Sequence, residues 1–153
     1  MALMVKLTAP FALALAALAG CGGSSQTAAS SSSSSSLENS DIRAKLRTMA
    51  LAASQADGVA SPTSIRAAGP LYHEAAEQAL SGDIVNDHAL VFAIVIEGGT
   101  FVDNSASGPP GSTAPQGSVL TFDVDAQTFE VLDSGLSNNQ PNWSLLGSNI
   151  VDL

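Results

Sequence analysis

The chain has a single cysteine, Cys21, so no internal disulfide can staple it. Positive charge is nearly as scarce: five Lys and Arg stand against fourteen Asp and Glu, a formal net charge of -9. After the first twenty residues the only bases are Arg43, Lys45, Arg47 and Arg66, and residues 67–153 carry eleven carboxylates with no Lys or Arg. Such a surface repels phosphates and cannot release their counterions, which excludes nucleic acid as a partner. There are two histidines, His73 and His88, so a nucleophile has few bases to choose from. No serine sits in a Gly-x-Ser-x-Gly elbow: Ser134 follows Asp133, and Ser107 lies in a Gly/Pro-rich stretch. No glycine motif follows a strand and opens a helix to cradle a phosphate, because Gly98-Gly99 leads into Thr100-Phe101-Val102. The longest apolar run, Leu7 to Leu18, is too short to span a bilayer as a mature helix.

That run is nevertheless the most informative part of the chain. Met1 to Lys6 carries one positive charge, Leu7 to Leu18 is rich in Ala and Leu, and the stretch closes on Leu18-Ala19-Gly20-Cys21. This order resembles a bacterial lipoprotein signal peptide, residues 1–20, whose lipobox ends in the cysteine that is thioether-linked to diacylglycerol after cleavage at Gly20. The resemblance implies that Cys21 is the lipid attachment site, that the mature protein is held by two or three acyl chains on the extracytoplasmic face of the cell membrane, and that it has no transmembrane helix. Each buried CH₂ contributes about 0.8 kcal/mol, so several chains hold far better than one. The lone thiol fits that role, since an unmodified one would be exposed and unpaired.

Residues 21–36 pair the lipidated cysteine with two glycines and seven consecutive serines, Ser30 to Ser36. Without charge or large apolar side chains the segment cannot offset its ordering entropy, and it is expected to be a disordered tether. The remaining 117 residues, 37–153, match one domain of ordinary size. Ser40 to about Gln55 places Ile42, Leu46, Met49, Ala50 and Ala53 on one helical stripe. Thr63 to Ala68 reads as a short strand, and Pro70 as the first position of a helix ending at Leu80. Ala89 to Glu97 is apolar on both faces and belongs in the middle of a sheet. Val119–Asp125 and Thr128–Leu132 read as an antiparallel hairpin, with Leu120, Phe122 and Val124 inward and Thr121, Asp123 and Asp125 toward water. Residues 98–118 form a long Gly/Pro-rich loop, and an irregular tail containing Trp143 follows Ser134. The expected fold class is α+β: two helices packed on one face of a small, mainly antiparallel sheet of three or four strands.

Pro62-Thr63-Ser64-Ile65, Ser81-Gly82-Asp83, Val91 to Val102, Pro109-Pro110-Gly111, Val124-Asp125-Ala126-x-Thr128 and Leu132-Asp133-x-Gly135-Leu136 carry a second resemblance. Over most of residues 60–148 the chain resembles a group of uncharacterised actinobacterial exported proteins and lipoproteins. Its hairpin is similar to that of PepSY-like domains, with Phe129 where a glycine is usual. The resemblance implies an exported α+β domain and no assigned activity.

Two clusters of side chains are able to hold a cation. His73-Glu74-Ala75-Ala76-Glu77 is close to the zinc-protease helix pattern, with Glu77 in place of the second histidine and His88 the only other imidazole. Its first reading is an exposed polar helix face, with no metal. Asp123, Asp125, Glu130 and Asp133 gather on the hairpin and offer oxygen ligands to Ca²⁺ without the EF-hand spacing; solvated carboxylates are the simpler account. No cofactor is implied. The lipoprotein resemblance implies a membrane-anchored protein of the cell envelope, and the thin inventory of reactive side chains adds a non-enzymatic binding or interaction module, its partner an envelope protein or a small ligand. The alternatives are a hydrolase with a pocket where His73, His88 and carboxylates converge, and a cation-binding surface protein built on Asp123, Asp125 and Glu130.

Overall fold

The computed structural model describes residues 36–105 and 111–153. The lipobox, Cys21, the tether up to Ser35 and the loop tip with Ser107 lie outside the described residues. Helix α1, Ser40–Ala56, starts where Asn39 caps it by accepting the Asp41 N–H at 2.8 Å. Leu46 and Ala50 are fully buried, with Ile42, Met49 and Ala53 packed beside them, which is the stripe that the periodicity predicts. Among the described residues no helix is long and apolar enough to cross a membrane.

Strand β1, Ser64–Tyr72, runs through Gly69-Pro70 instead of ending before it. The register with β2 (Leu90–Val102) breaks between Ala68 and Leu71, and Pro70 sits in that irregularity, where the ladder asks for no donor. Gly69 has φ 127°, and a Cβ there would lie 2.7 Å from the Val91 carbonyl. Helix α2 consequently spans only His73–Leu80 and starts later than the proline signal implied. Its first two free N–H groups are taken by the β2 approach, His73 donating to the Ala89 carbonyl and Glu74 to that of Asp87.

The sheet has five antiparallel strands in the order β4-β3-β2-β1-β5, where β3 is Gln116–Asp125, β4 Val131–Ser137 and β5 Ile150–Asp152. The α+β class holds, and the expectation of three or four strands is corrected to five. The addition, β5, pairs with β1 through only three residues, too few for any periodicity to register. The loop expected over 98–118 contracts at both ends: β2 resumes after a glycine irregularity at Phe101↔Gly117, and the connection narrows to residues 103–115. Strand β4 begins three residues later than expected because the turn consumes more chain. Asp125 Oδ1 accepts the N–H groups of Gln127 and Thr128, and Phe129 takes the left-handed conformation at φ 63°. That conformation costs a non-glycine residue about 1 kcal/mol or more. Packing offsets it, since the Phe129 ring lies 6.3 Å from that of Phe92 and 3.7 Å under Lys45 Nζ.

The helices cover opposite faces of the sheet, a correction to the one-sided packing expected. Phe92, Ile94 and Ile96 of β2 join Leu120, Phe122, Val124 and the stripe of α1 in one core. Val91 and Ala93 point the other way and pack with Ala76 and Ala79 of α2 and with Leu146. The tail crosses this second face, where Arg66 stacks over Trp143 at 3.9 Å and its Nη2 meets Glu97 Oε2 at 2.5 Å. Gln140 Nε2 donates to the other Glu97 oxygen, and with Arg66 it holds that carboxyl below its ordinary range. The sheet is therefore the middle layer of three, and polar residues on its second face are not automatically wet.

Candidate functional site

Asp123 is the residue most changed by that layering. Its strand alternates apolar and polar, so it was expected to face water, yet it is 0% exposed beneath α2. It lies opposite Ala93 on β2, whose small side chain leaves room beside it. From α2, His73 and Glu77 sit one helical turn apart and point down onto it, and both are buried, where an exposed polar face was expected. His73 Nε2 is 3.6 Å from Asp123 Oδ2 and 3.9 Å from Glu77 Oε1. One donor atom from each of the three lies within 4.8 Å of the others, the only such group of three among the described residues.

His73 and Glu77 each have their outer atom engaged. The Nδ1 of His73 meets Asp87 Oδ2 at 2.9 Å, and Asp87 is itself fixed by the Ala89 N–H on its other oxygen. That hydrogen bond lowers the Asp87 pKa, with the Ala89 amide assisting, so the carboxylate accepts and Nδ1 carries the proton. Glu77 Oε2 accepts from the Ser81 hydroxyl at 3.0 Å, leaving Oε1 to face His73. Among the described residues no hydrogen bond reaches His73 Nε2 or either Asp123 oxygen. A buried polar atom without a partner costs about 1–3 kcal/mol, more for a charged group, so three together call for a shared cation or proton. Burial, then the adjacent Glu77 carboxylate and more weakly Asp133, push the Asp123 carboxyl up to about 8.

A groove opens beside Glu77, the one member of the cluster that lines it. It is bounded by Glu77, Ser81, Thr121, Asp133 and Ser134 and encloses about 120 Å³. That is well below the roughly 300–1,000 Å³ of small-molecule sites, and it suits an ion and a few waters.

The other side chains that the sequence singles out lie apart from this cluster. His88 is exposed, 3.6 Å from Glu74 Oε2 and edge-on to Tyr72, so the two histidines do not converge on one pocket. The Asp125 carboxylate caps the β3–β4 turn, and the amides of Thr128 and Gln127 hold its pKa down. Glu130 is exposed beyond that turn. Asp133 pairs with Asp123 across the ladder, stays exposed, and accepts the Ser134 N–H. Asp125 and Glu130 do not gather with Asp123 into the alternative oxygen cluster, and Asp123, expected to be solvated, turns toward His73 instead. The i,i+4 spacing of His73 and Glu77 was visible in the sequence; the Asp123 that completes them and the Asp87 that orients them were not. No family profile matches this chain, and no curated protein or solved structure matches it.

Proposed function

We propose that this chain is a lipid-anchored protein of the extracytoplasmic membrane face whose domain is a non-enzymatic binding module, with His73, Glu77 and Asp123 as its binding centre. The observation that carries the binding reading is the convergence of three buried side chains, two of which, His73 and Asp123, hold polar atoms without a hydrogen-bond partner. A scaffold gains nothing from them, because apolar residues of the same volume would pack without a desolvation cost. The small groove favours binding over turnover of an organic substrate. The anchor reading rests on Leu18-Ala19-Gly20-Cys21 and the serine-rich segment that follows it.

Replacement of Cys21 by Ser tests the anchor. Membrane fractionation with fatty-acid labelling is expected to show loss of label and release of the chain into the soluble fraction, or retention of its signal peptide. Unchanged labelling and membrane association in the variant refute Cys21 as the lipid site.

A further inference from the structure

We propose that His73 Nε2, Glu77 Oε1 and one Asp123 carboxylate oxygen bind a single divalent cation of the zinc class. The inference rests on the binding-centre reading above and names its ligand.

Donor geometry supports it first. Ligands about 2.0–2.1 Å from a tetrahedral centre stand roughly 3.3 Å from one another. The His73 Nε2 distances of 3.6 Å and 3.9 Å need to close by only a few tenths of an ångström. Rotation of two carboxylates supplies that without moving a helix or strand.

Charge and orientation support it independently. Two carboxylates and a neutral imidazole exactly offset a divalent ion, so the buried assembly becomes neutral when loaded. The carboxylate–histidine pair formed by Asp87 fixes the tautomer that presents the Nε2 lone pair inward, the usual outer-shell support of a metal-bound histidine. Ser81 performs the equivalent task for Glu77, leaving Oε1 as the inward atom.

The donor set also selects the ion. One nitrogen and two oxygens fixed on a helix and a strand suit zinc and its neighbours in the first transition row. Calcium requires six to eight oxygens, and magnesium keeps a nearly complete octahedron of oxygen and water. Three protein ligands leave a fourth position for solvent or for a donor brought by a partner, and Glu77 lines a water-sized groove on its outer side.

The test uses the full-length chain carrying Cys21→Ser, so that no thiol competes for metal. Titration calorimetry with Zn²⁺, and absorption spectroscopy with Co²⁺, are expected to give one ion per chain and a tetrahedral or five-coordinate cobalt spectrum. Ca²⁺ and Mg²⁺ should give neither. Asp123→Asn and Glu77→Gln should each weaken Zn²⁺ at least about 100-fold. Asp87→Asn should weaken it about 10- to 100-fold with unchanged stoichiometry, as outer-shell losses do. Asp125→Asn should leave affinity unchanged. A folded parent chain that binds neither ion saturably overturns the inference, and the cluster is then a proton-sharing network only. Zn²⁺ affinity equal in the parent and in folded Asp123→Asn, checked by near-UV circular dichroism, also overturns it. The anchor reading fails or stands by fractionation of the Cys21 protein, which none of these titrations touches.

Discussion

Asp123→Asn should make the metal-free protein more stable near neutral pH, the reverse of what removing a fully buried polar residue usually does. Burial, with Glu77 beside it, raises the Asp123 carboxyl from 3.8 to about 8, so the folded chain keeps a proton on the Asp123–Glu77 pair that the unfolded chain releases. Between those two values the unfolded state binds fewer protons, and stability falls as pH rises; above about pH 8 both states are ionised and the slope ends. Each unit of difference is about 1.4 kcal/mol, which puts the total loss at several kcal/mol by pH 8. Asparagine has no proton to keep, so the variant should lack this slope and exceed the parent by a few kcal/mol at roughly pH 8. Urea unfolding in the presence of a chelator, repeated from roughly pH 5 to 9, measures it. A variant less stable than the parent throughout, or a parent with no decline over that range, contradicts the account of Asp123. With Zn²⁺ added the order should reverse, because only the parent gains binding energy on folding. A residue that lowers stability when empty and raises it when loaded is the usual mark of a site kept for function.

The second large effect belongs to the central strand. Phe92 and Ile94 are 0% exposed in β2, which has a neighbour on each side and a helix over each face. Phe92→Ala should cost about 3–5 kcal/mol and Ile94→Ala about 2–5 kcal/mol, a large share of the 5–15 kcal/mol of an ordinary domain. Phe92→Ala also removes the ring against which Phe129 packs, leaving the left-handed turn residue less supported. Leu132→Ala, on the open edge strand β4 and 41% exposed, should change stability by well under about 1 kcal/mol. Chemical denaturation of the three variants side by side checks the ranking; equal losses at Leu132 and Phe92 would show that the edge is covered in solution.

Substitutions at His73 and Glu77 no longer belong with surface changes. Both side chains are buried in the cluster with Asp123, and truncating either leaves the other donors without their neighbour. Their helical neighbours, half-buried Glu74 and exposed Gln78, are the positions where smaller effects are expected.

Local pattern was enough for α1, whose apolar residues recur at helical spacing behind an Asn cap, and for β2, whose unbroken Val and Ile run needs cover on both sides. It was enough for the inward faces of β3 as well, because Leu120, Phe122 and Val124 alternate with polar residues. The proposed lipid anchor at Leu18-Ala19-Gly20-Cys21 rests on the sequence alone, since those residues lie outside the described residues. Tertiary structure decided the rest. Alternation in a strand reports that its two faces differ, and it carries no record of whether the second face meets water or a helix. Here β1 continued through Pro70, which shifted the start of α2 to His73 and laid that helix over β3, burying Asp123 under two side chains distant from it in sequence. Metal ligands converge through such long-range placement: the spacing of His73 and Glu77 could name two donors, and only the packing of a helix on the far face of the sheet could supply the third.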